Sequence, residues 1–153
     1  MNVRTTTAPV VLQIEDDAIL AVSVEMLLRS GSVRSPVAAS GDEALRLIAR
    51  GMQPDVLLLD YHLAEDATGN DVAEEFALRL GHTVPTILLT GDRANVEIPW
   101  MPGAPMILVA KPVDPNDLLE TIQHFTALLR STRNRHVPSI HPVANKTTSA
   151  NGV

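Results

Sequence analysis

Six polar residues in this sequence stand directly behind short apolar runs, and their types suit phosphoryl chemistry. Glu15, Asp16 and Asp17 follow Val10-Val11-Leu12-Gln13-Ile14, and Asp60 closes Asp55-Val56-Leu57-Leu58-Leu59-Asp60. Thr90 ends Thr86-Ile87-Leu88-Leu89-Thr90, and Lys111 follows Met106-Ile107-Leu108-Val109-Ala110. Carboxylates gathered at one place repel and call for a counter-cation. A few hard oxygen ligands with room left for water suit Mg²⁺, with Mn²⁺ as a substitute. A lysine and a hydroxyl beside them suit a transferred phosphoryl group, because the ammonium neutralises charge and the hydroxyl donates a hydrogen bond. An aspartate in that setting can act as nucleophile and become an aspartyl phosphate.

This chemistry requires the runs to be neighbouring strands of one sheet. Runs that are apolar throughout read as strands covered on both faces. Between them lie helical patterns: Ile19 to Leu28, a helix capped by Ser40 with Glu43 as its capping-box partner, and Gly69 to Leu80. A last helix is capped by Asp114, has Pro115 at its first position, and carries Leu118, Leu119, Ile122, Phe125, Leu128 and Leu129 as its stripe. Val37-Ala38-Ala39 is a weak strand beside Pro36, which suits an edge. Strand and helix alternate five times, which predicts an α/β fold: a doubly wound five-stranded parallel sheet. In such sheets the chemistry lies outside the carboxyl ends of the strands. Between the fourth and fifth strands, Pro99, Pro102 and Pro105 leave room for one or two helical turns, so the fourth helix is expected to be reduced.

Composition fits one such domain. The chain has 153 residues, 45% hydrophobic and 20% charged, enough to bury a core. The expected organisation is a flexible N-terminus at 1–9, a domain at 10–130, and a disordered, polar, basic tail at 131–153. The net charge is −6, and the tail holds Arg133, Arg135 and Lys146 without an acid, so the acidity is concentrated in the body. That disfavours nucleic acid as a direct partner. With no cysteine there is no disulfide framework or thiolate chemistry. No apolar run is long enough for a membrane span, and the first residues lack a signal-peptide core, so a cytoplasmic protein without a membrane partner is expected.

Ile14-Glu15-Asp16-Asp17, Leu57-Leu58-Leu59-Asp60, Leu88-Leu89-Thr90-Gly91 and Ala110-Lys111-Pro112 resemble, in order, the motifs of response-regulator receiver domains of two-component signalling. Their style is closest to receivers of hybrid histidine kinases, and the resemblance covers about residues 10–130. It implies a flavodoxin-like fold with strand order 2-1-3-4-5. Asp60 would be the phosphoacceptor, and Glu15, Asp16, Asp60 and the backbone carbonyl of His62 would hold Mg²⁺. Lys111 would contact the phosphoryl group, with Pro112 often following a cis bond, and Thr90 would be the switch hydroxyl. His62 and Asp92 fall where the family tunes self-dephosphorylation.

The implied partners are a histidine kinase or histidine phosphotransfer protein and a downstream protein target in trans, with a homodimer left open. A chain beginning at Met1 reads as a stand-alone receiver that serves as a phosphorelay component or a protein-binding switch, and not as an enzyme. Three positions depart from the family: Leu108 replaces the switch aromatic, Ala64 stands where a proline is usual, and the 92–105 stretch is proline-rich. Two alternatives follow. One is a receiver-like interaction module that works without phosphate. The other is an aspartyl-phosphate phosphatase, which would want a second Asp where His62 stands.

Taken singly, each feature has a plainer explanation. Asp16 and Asp17 could cap a helix, Asp60 could start a turn, and Lys111 could be loop surface. It is their joint occurrence at successive strand ends that favours the phosphoryl reading.

Overall fold

Leu, Ile and Val dominate β1 (Val11–Ile14), β3 (Val56–Asp60) and β4 (Thr86–Thr90), and every residue of these strands is buried except Asp60. In the computed structural model, which describes residues 7–62, 68–92 and 105–135, they form the centre of a five-stranded sheet. The edges are β2 (Val37–Ala38) and β5 (Met106–Ala110). The order is β2-β1-β3-β4-β5 and all neighbours are parallel. This is the predicted doubly wound, flavodoxin-like α/β fold.

Both faces are covered. Leu12, Ile14, Leu57, Leu59 and Leu88 pack under α2 (Gly41–Ala49) and α3 (Gly69–Leu80), with Phe76 fully buried. Val11, Val56, Leu58, Ile87 and Leu89 pack under α1 (Ala18–Ser30) and α4 (Pro115–Arg135). Alternate strand residues thus feed opposite layers, as the period of two requires. Each cluster removes enough apolar surface from water to drive the layers together.

Local chemistry sets the helix ends. The Asp17 side chain accepts from the backbone N–H groups of Ile19 (3.0 Å) and Leu20 (3.1 Å) and starts α1. Thr68 and Asp71 form a reciprocal capping box at α3, and Gly81, in the left-handed region at φ 72°, ends it. At α2 the box is displaced by one residue. Ser40 accepts from the Glu43 N–H, but the Glu43 carboxylate accepts from Ala39 N–H at 2.7 Å.

Asp114 caps α4 through the N–H groups of Asn116 and Asp117. Leu128 departs from the predicted stripe. It is exposed because it lies well off the line through Leu118, Ile122, Phe125 and Leu129. α4 also runs on to Arg135, past the expected end of the domain at 130, and Ser131 Oγ donates to the Leu128 carbonyl within it. At the other terminus, two backbone carbonyls within residues 7–9 are hydrogen-bonded to the body of the domain. The Thr7 carbonyl accepts from Arg130 (2.8 Å) and the Pro9 carbonyl from Arg34 N–H (2.9 Å). The stretch where a reduced fourth helix is expected, with Pro99 and Pro102, as well as Ala64 and the tail from 136 on, lies outside the described residues.

Candidate functional site

Register brings the predicted residues together. Ile14 stands opposite Leu59, Asp60 opposite Leu89, and Thr90 opposite Ala110. The next residues, Glu15 and Lys111, therefore flank the strand ends on either side of Asp60. The Lys111 ammonium forms an ion pair with Asp60 Oδ2, with side chains 33% and 15% exposed. The pair is thus shielded yet reachable from solvent, which suits a group that must receive a small transferred moiety. The other carboxylate oxygen, Asp60 Oδ1, accepts from His62 N–H at 3.0 Å. Lys111 is anchored by its backbone N–H, which donates to the Thr90 carbonyl at 2.7 Å, and the Lys111–Pro112 bond is cis.

Glu15 is buried just past β1. Its backbone N–H donates to the Ala38 carbonyl (3.0 Å), and its Oε1 accepts from Asp17 N–H (3.1 Å). Burial pushes its carboxyl above the usual range, and the neighbouring carboxyls of Asp16 and Asp60 push the same way. The Asp17 N–H and the Lys111 ammonium oppose the shift. One lysine therefore serves both Asp60 and Glu15, and the cluster carries more negative charge than it neutralises. Asp16 is exposed beside it. Asp17, grouped with these acids by sequence, is the α1 cap.

This donor set fits the predicted ion. Glu15, Asp16, the Oδ1 of Asp60, which Lys111 leaves uncovered, and a backbone carbonyl at 62 are hard oxygens, and the local charge is under-compensated. Among the described residues, however, no three His, Asp or Glu side chains form a ready-made cage. Lys111 occupies part of the space around Asp60 instead.

Thr90 is fully buried, and its hydroxyl is engaged with Asp92: it donates to the Asp92 carbonyl and accepts from the Asp92 N–H, both at 3.1 Å. The hydroxyl is thus turned to the following loop and makes no bond to Asp60. Gly91 and Asp92 are exposed, and a Cβ at Gly91 would meet open space. The His62 ring is exposed and stacks edge-on against Tyr61 at 5.0 Å, so its backbone, not its ring, touches Asp60. Leu108 packs into the layer under α2 and α3.

Sequence reasoning missed Gly69. Its N–H donates to the Tyr61 carbonyl (2.9 Å), and a Cβ there would lie 3.0 Å from the Asp60 carbonyl oxygen and 2.7 Å from Leu88 Cδ2. α3 therefore starts directly against the strand end that carries Asp60. The available signal was a glycine right after the cap Thr68, where a helix former would otherwise be favoured.

Fold and site together define a flavodoxin-like α/β protein with an aspartate–lysine pair at the carboxyl edge of its sheet. The chain belongs to the response regulator receiver domain family, whose sequence profile matches residues 11–123. Such domains are signalling modules of two-component systems and not classical enzymes. PhyR of Methylorubrum extorquens, a phyllosphere-induced regulator, is 27% identical over 132 residues, covering 82% of this chain and 46% of that protein. MtrA of Mycobacterium tuberculosis, a DNA-binding response regulator, is 31% identical over 115 residues, covering 74% of this chain and 48% of that protein. The chain thus spans about half the length of these relatives.

Among solved structures, a CheY-like receiver protein from Methanospirillum hungatei superposes with a TM-score of 0.67 at 24% identity, covering 80% of this chain and 98% of that one. The anti-anti-sigma factor PhyR from Bartonella quintana gives 0.68 at 22%, covering 86% and 52%. These two likenesses are of fold. Among the described residues no helix is long and apolar enough to cross a membrane.

Proposed function

We propose that this protein is a cytoplasmic receiver that takes a phosphoryl group onto Asp60 from a phosphohistidine of a histidine kinase or phosphotransfer protein. It then acts as a phosphorelay component or as a switch that binds a protein target. The observation that carries the reading is the register that sets Asp60 between Glu15 and Lys111, with the Lys111 ammonium on Asp60 Oδ2.

In this reading an Asp60 carboxylate oxygen attacks phosphorus. The phosphorus–nitrogen bond of the donor breaks, its electron pair stays on the imidazole, and the imidazole nitrogen takes a proton. Lys111 moves from the carboxylate to a phosphoryl oxygen and neutralises charge there. Glu15, Asp16, Asp60 and the His62 carbonyl would hold Mg²⁺, which when bound offsets the negative charge of carboxylates and phosphoryl oxygens. The Thr90 hydroxyl exchanges its Asp92 partners for a phosphoryl oxygen, which carries the change into the loop after β4. With Leu108 in place of an aromatic, that loop is the route of output. His62 and Asp92 border the site and set the lifetime of the aspartyl phosphate. A phosphatase would need an acid–base side chain facing Asp60 two residues on, and the His62 ring faces Tyr61.

Beryllofluoride with Mg²⁺, a phosphoryl mimic, tests this reading in proton–nitrogen correlation NMR. The expected result is large shifts of the Asp60, His62, Thr90, Asp92 and Lys111 amides that require Mg²⁺ and are absent in Asp60→Asn. A spectrum unchanged by the mimic would overturn the phosphoacceptor role.

A further inference from the structure

A cavity of about 620 Å³ lies between α1, the sheet and the start of α4, with its upper end at the acidic cluster. Leu20, Val24 and Leu27 of α1 line it opposite Leu58, Leu89 and Leu118. Those three α1 positions, at i, i+4 and i+7, form the stripe that a helix uses to fill a core. Here they border open space, while Ala21 and Leu28 are the α1 residues that are fully packed. The volume is that of a small-molecule site, and such sites combine apolar walls with a few convergent polar groups.

Its polar lining is Gln13 and Glu15, two residues apart and so on the same side of β1, with Ser23, whose hydroxyl donates to the Ile19 carbonyl, and the paired Asp60 and Lys111 at the upper end. Gln13 is 2% exposed. Its Nε2 donates to Ser35 Oγ (2.8 Å) and weakly to the Ala21 carbonyl (3.4 Å). Its Oε1 has no partner among the described residues. A buried acceptor left without a donor is unfavourable, and a ligand N–H that reaches it removes that loss. Glu15 makes no ion pair of its own among the described residues, because Lys111 sits on Asp60. The wall thus offers two acceptors, one of them charged, and its one cation, Lys111, is paired with Asp60.

We propose that this cavity binds a small hydrophobic cation. Its aromatic or aliphatic body lies against the leucines and Val24, and its ammonium or amidinium donates to Glu15 and to Gln13 Oε1. An anion of the same shape is disfavoured, since Glu15 and Asp60 together outnumber Lys111. The site goes beyond the phosphoacceptor reading and stands whether or not Asp60 is ever phosphorylated.

The test uses the full chain without Mg²⁺ or phosphodonor, followed by proton–nitrogen correlation NMR. The probes are naphthylmethylamine and, as the matched anion, naphthylacetic acid. The expected result is a saturable shift of the Gln13, Leu58 and Leu89 amides by the amine, with affinity roughly tenfold or more above that of the acid. Val24→Trp, which fills the cavity, should abolish binding. Should that variant fail to fold, Gln13→Leu, which removes the free acceptor and keeps the volume, should weaken the amine roughly tenfold. The proposal is overturned by equal affinity of amine and acid, by shifts confined to Ile19, Val22 and Met26 on the outer face of α1, by binding indifferent to the variants that fold, or by no saturable shift at millimolar probe.

Discussion

Gly69→Ala probes the closest approach at the site. A Cβ at residue 69 would stand 2.7 Å from Leu88 Cδ2, 3.0 Å from the Asp60 carbonyl oxygen and 3.5 Å from Leu59 Cβ. Leu88 is fully buried, so its methyl has little room to retreat, and the Asp60 carbonyl belongs to the sheet. Overpacking of this kind costs about 1–3 kcal/mol. Alanine in a helix recovers about 0.5–1 kcal/mol of backbone entropy relative to glycine. The midpoints leave about 1 kcal/mol of net destabilisation, within a span of about 0–2.5 kcal/mol.

Urea denaturation followed by circular dichroism measures it: the midpoint should fall while the slope with denaturant stays unchanged. Gly91→Ala is the matched control, because its Cβ meets nothing, and it should stay within about 0.5 kcal/mol of the parent. The strain in Gly69→Ala bears on the peptide of the phosphoacceptor itself, so phosphorylation should slow in that variant and not in the control. A Gly69→Ala protein as stable as the parent would refute the packing argument, whatever its activity.

Three further perturbations have defined outcomes. Lys111→Met removes the ammonium that pairs with Asp60, and labelling by acetyl phosphate should fall by roughly tenfold or more, read by intact mass against time. Asp17→Ala deprives α1 of its cap and should cost about 1 kcal/mol in urea denaturation without removing a metal ligand. Asp71 has its carboxyl held below the ordinary range, first by the Thr68 backbone N–H and then by the Thr68 hydroxyl. Its contribution is therefore present above the unfolded-state pKa and lost as pH falls through the lower folded value. The stability gap between parent and Asp71→Ala, measured by denaturation across acid pH, should be full near neutrality and close in strong acid.

Much of this architecture was legible in the sequence, for reasons that differ by element. α3 and β4 lie where the pattern placed them, because Thr68 caps the start of α3, Gly81 ends it, and β4 is buried throughout around an apolar centre. α4 outran its expected end. Nothing local stops a helix between Arg130 and Arg135, and the loss of apolar period there marks the end of packing, not of the helix. The Asp60–Lys111 contact was implied by counting residues past strand ends, since parallel strands in register align those ends. Glu15 and Asp17 are acids two residues apart with different tasks: Glu15 is buried at the strand end while Asp17 caps α1. The Thr90 hydroxyl bonds to Asp92 and the role of Gly69 depend on distances set to a few tenths of an ångström, which spacing alone does not encode. The cavity under α1 was equally hidden, because a helical pattern from Ile19 to Leu28 does not tell how closely its apolar residues approach the sheet.

The most direct test of the central claim is the intact mass of the full chain after incubation with acetyl phosphate, with and without Mg²⁺, beside Asp60→Asn. The account predicts a single phosphoryl adduct that needs Mg²⁺ and is lost in Asp60→Asn. An adduct that persists in Asp60→Asn, or a folded parent protein that takes no phosphoryl group with Mg²⁺ present, would contradict it.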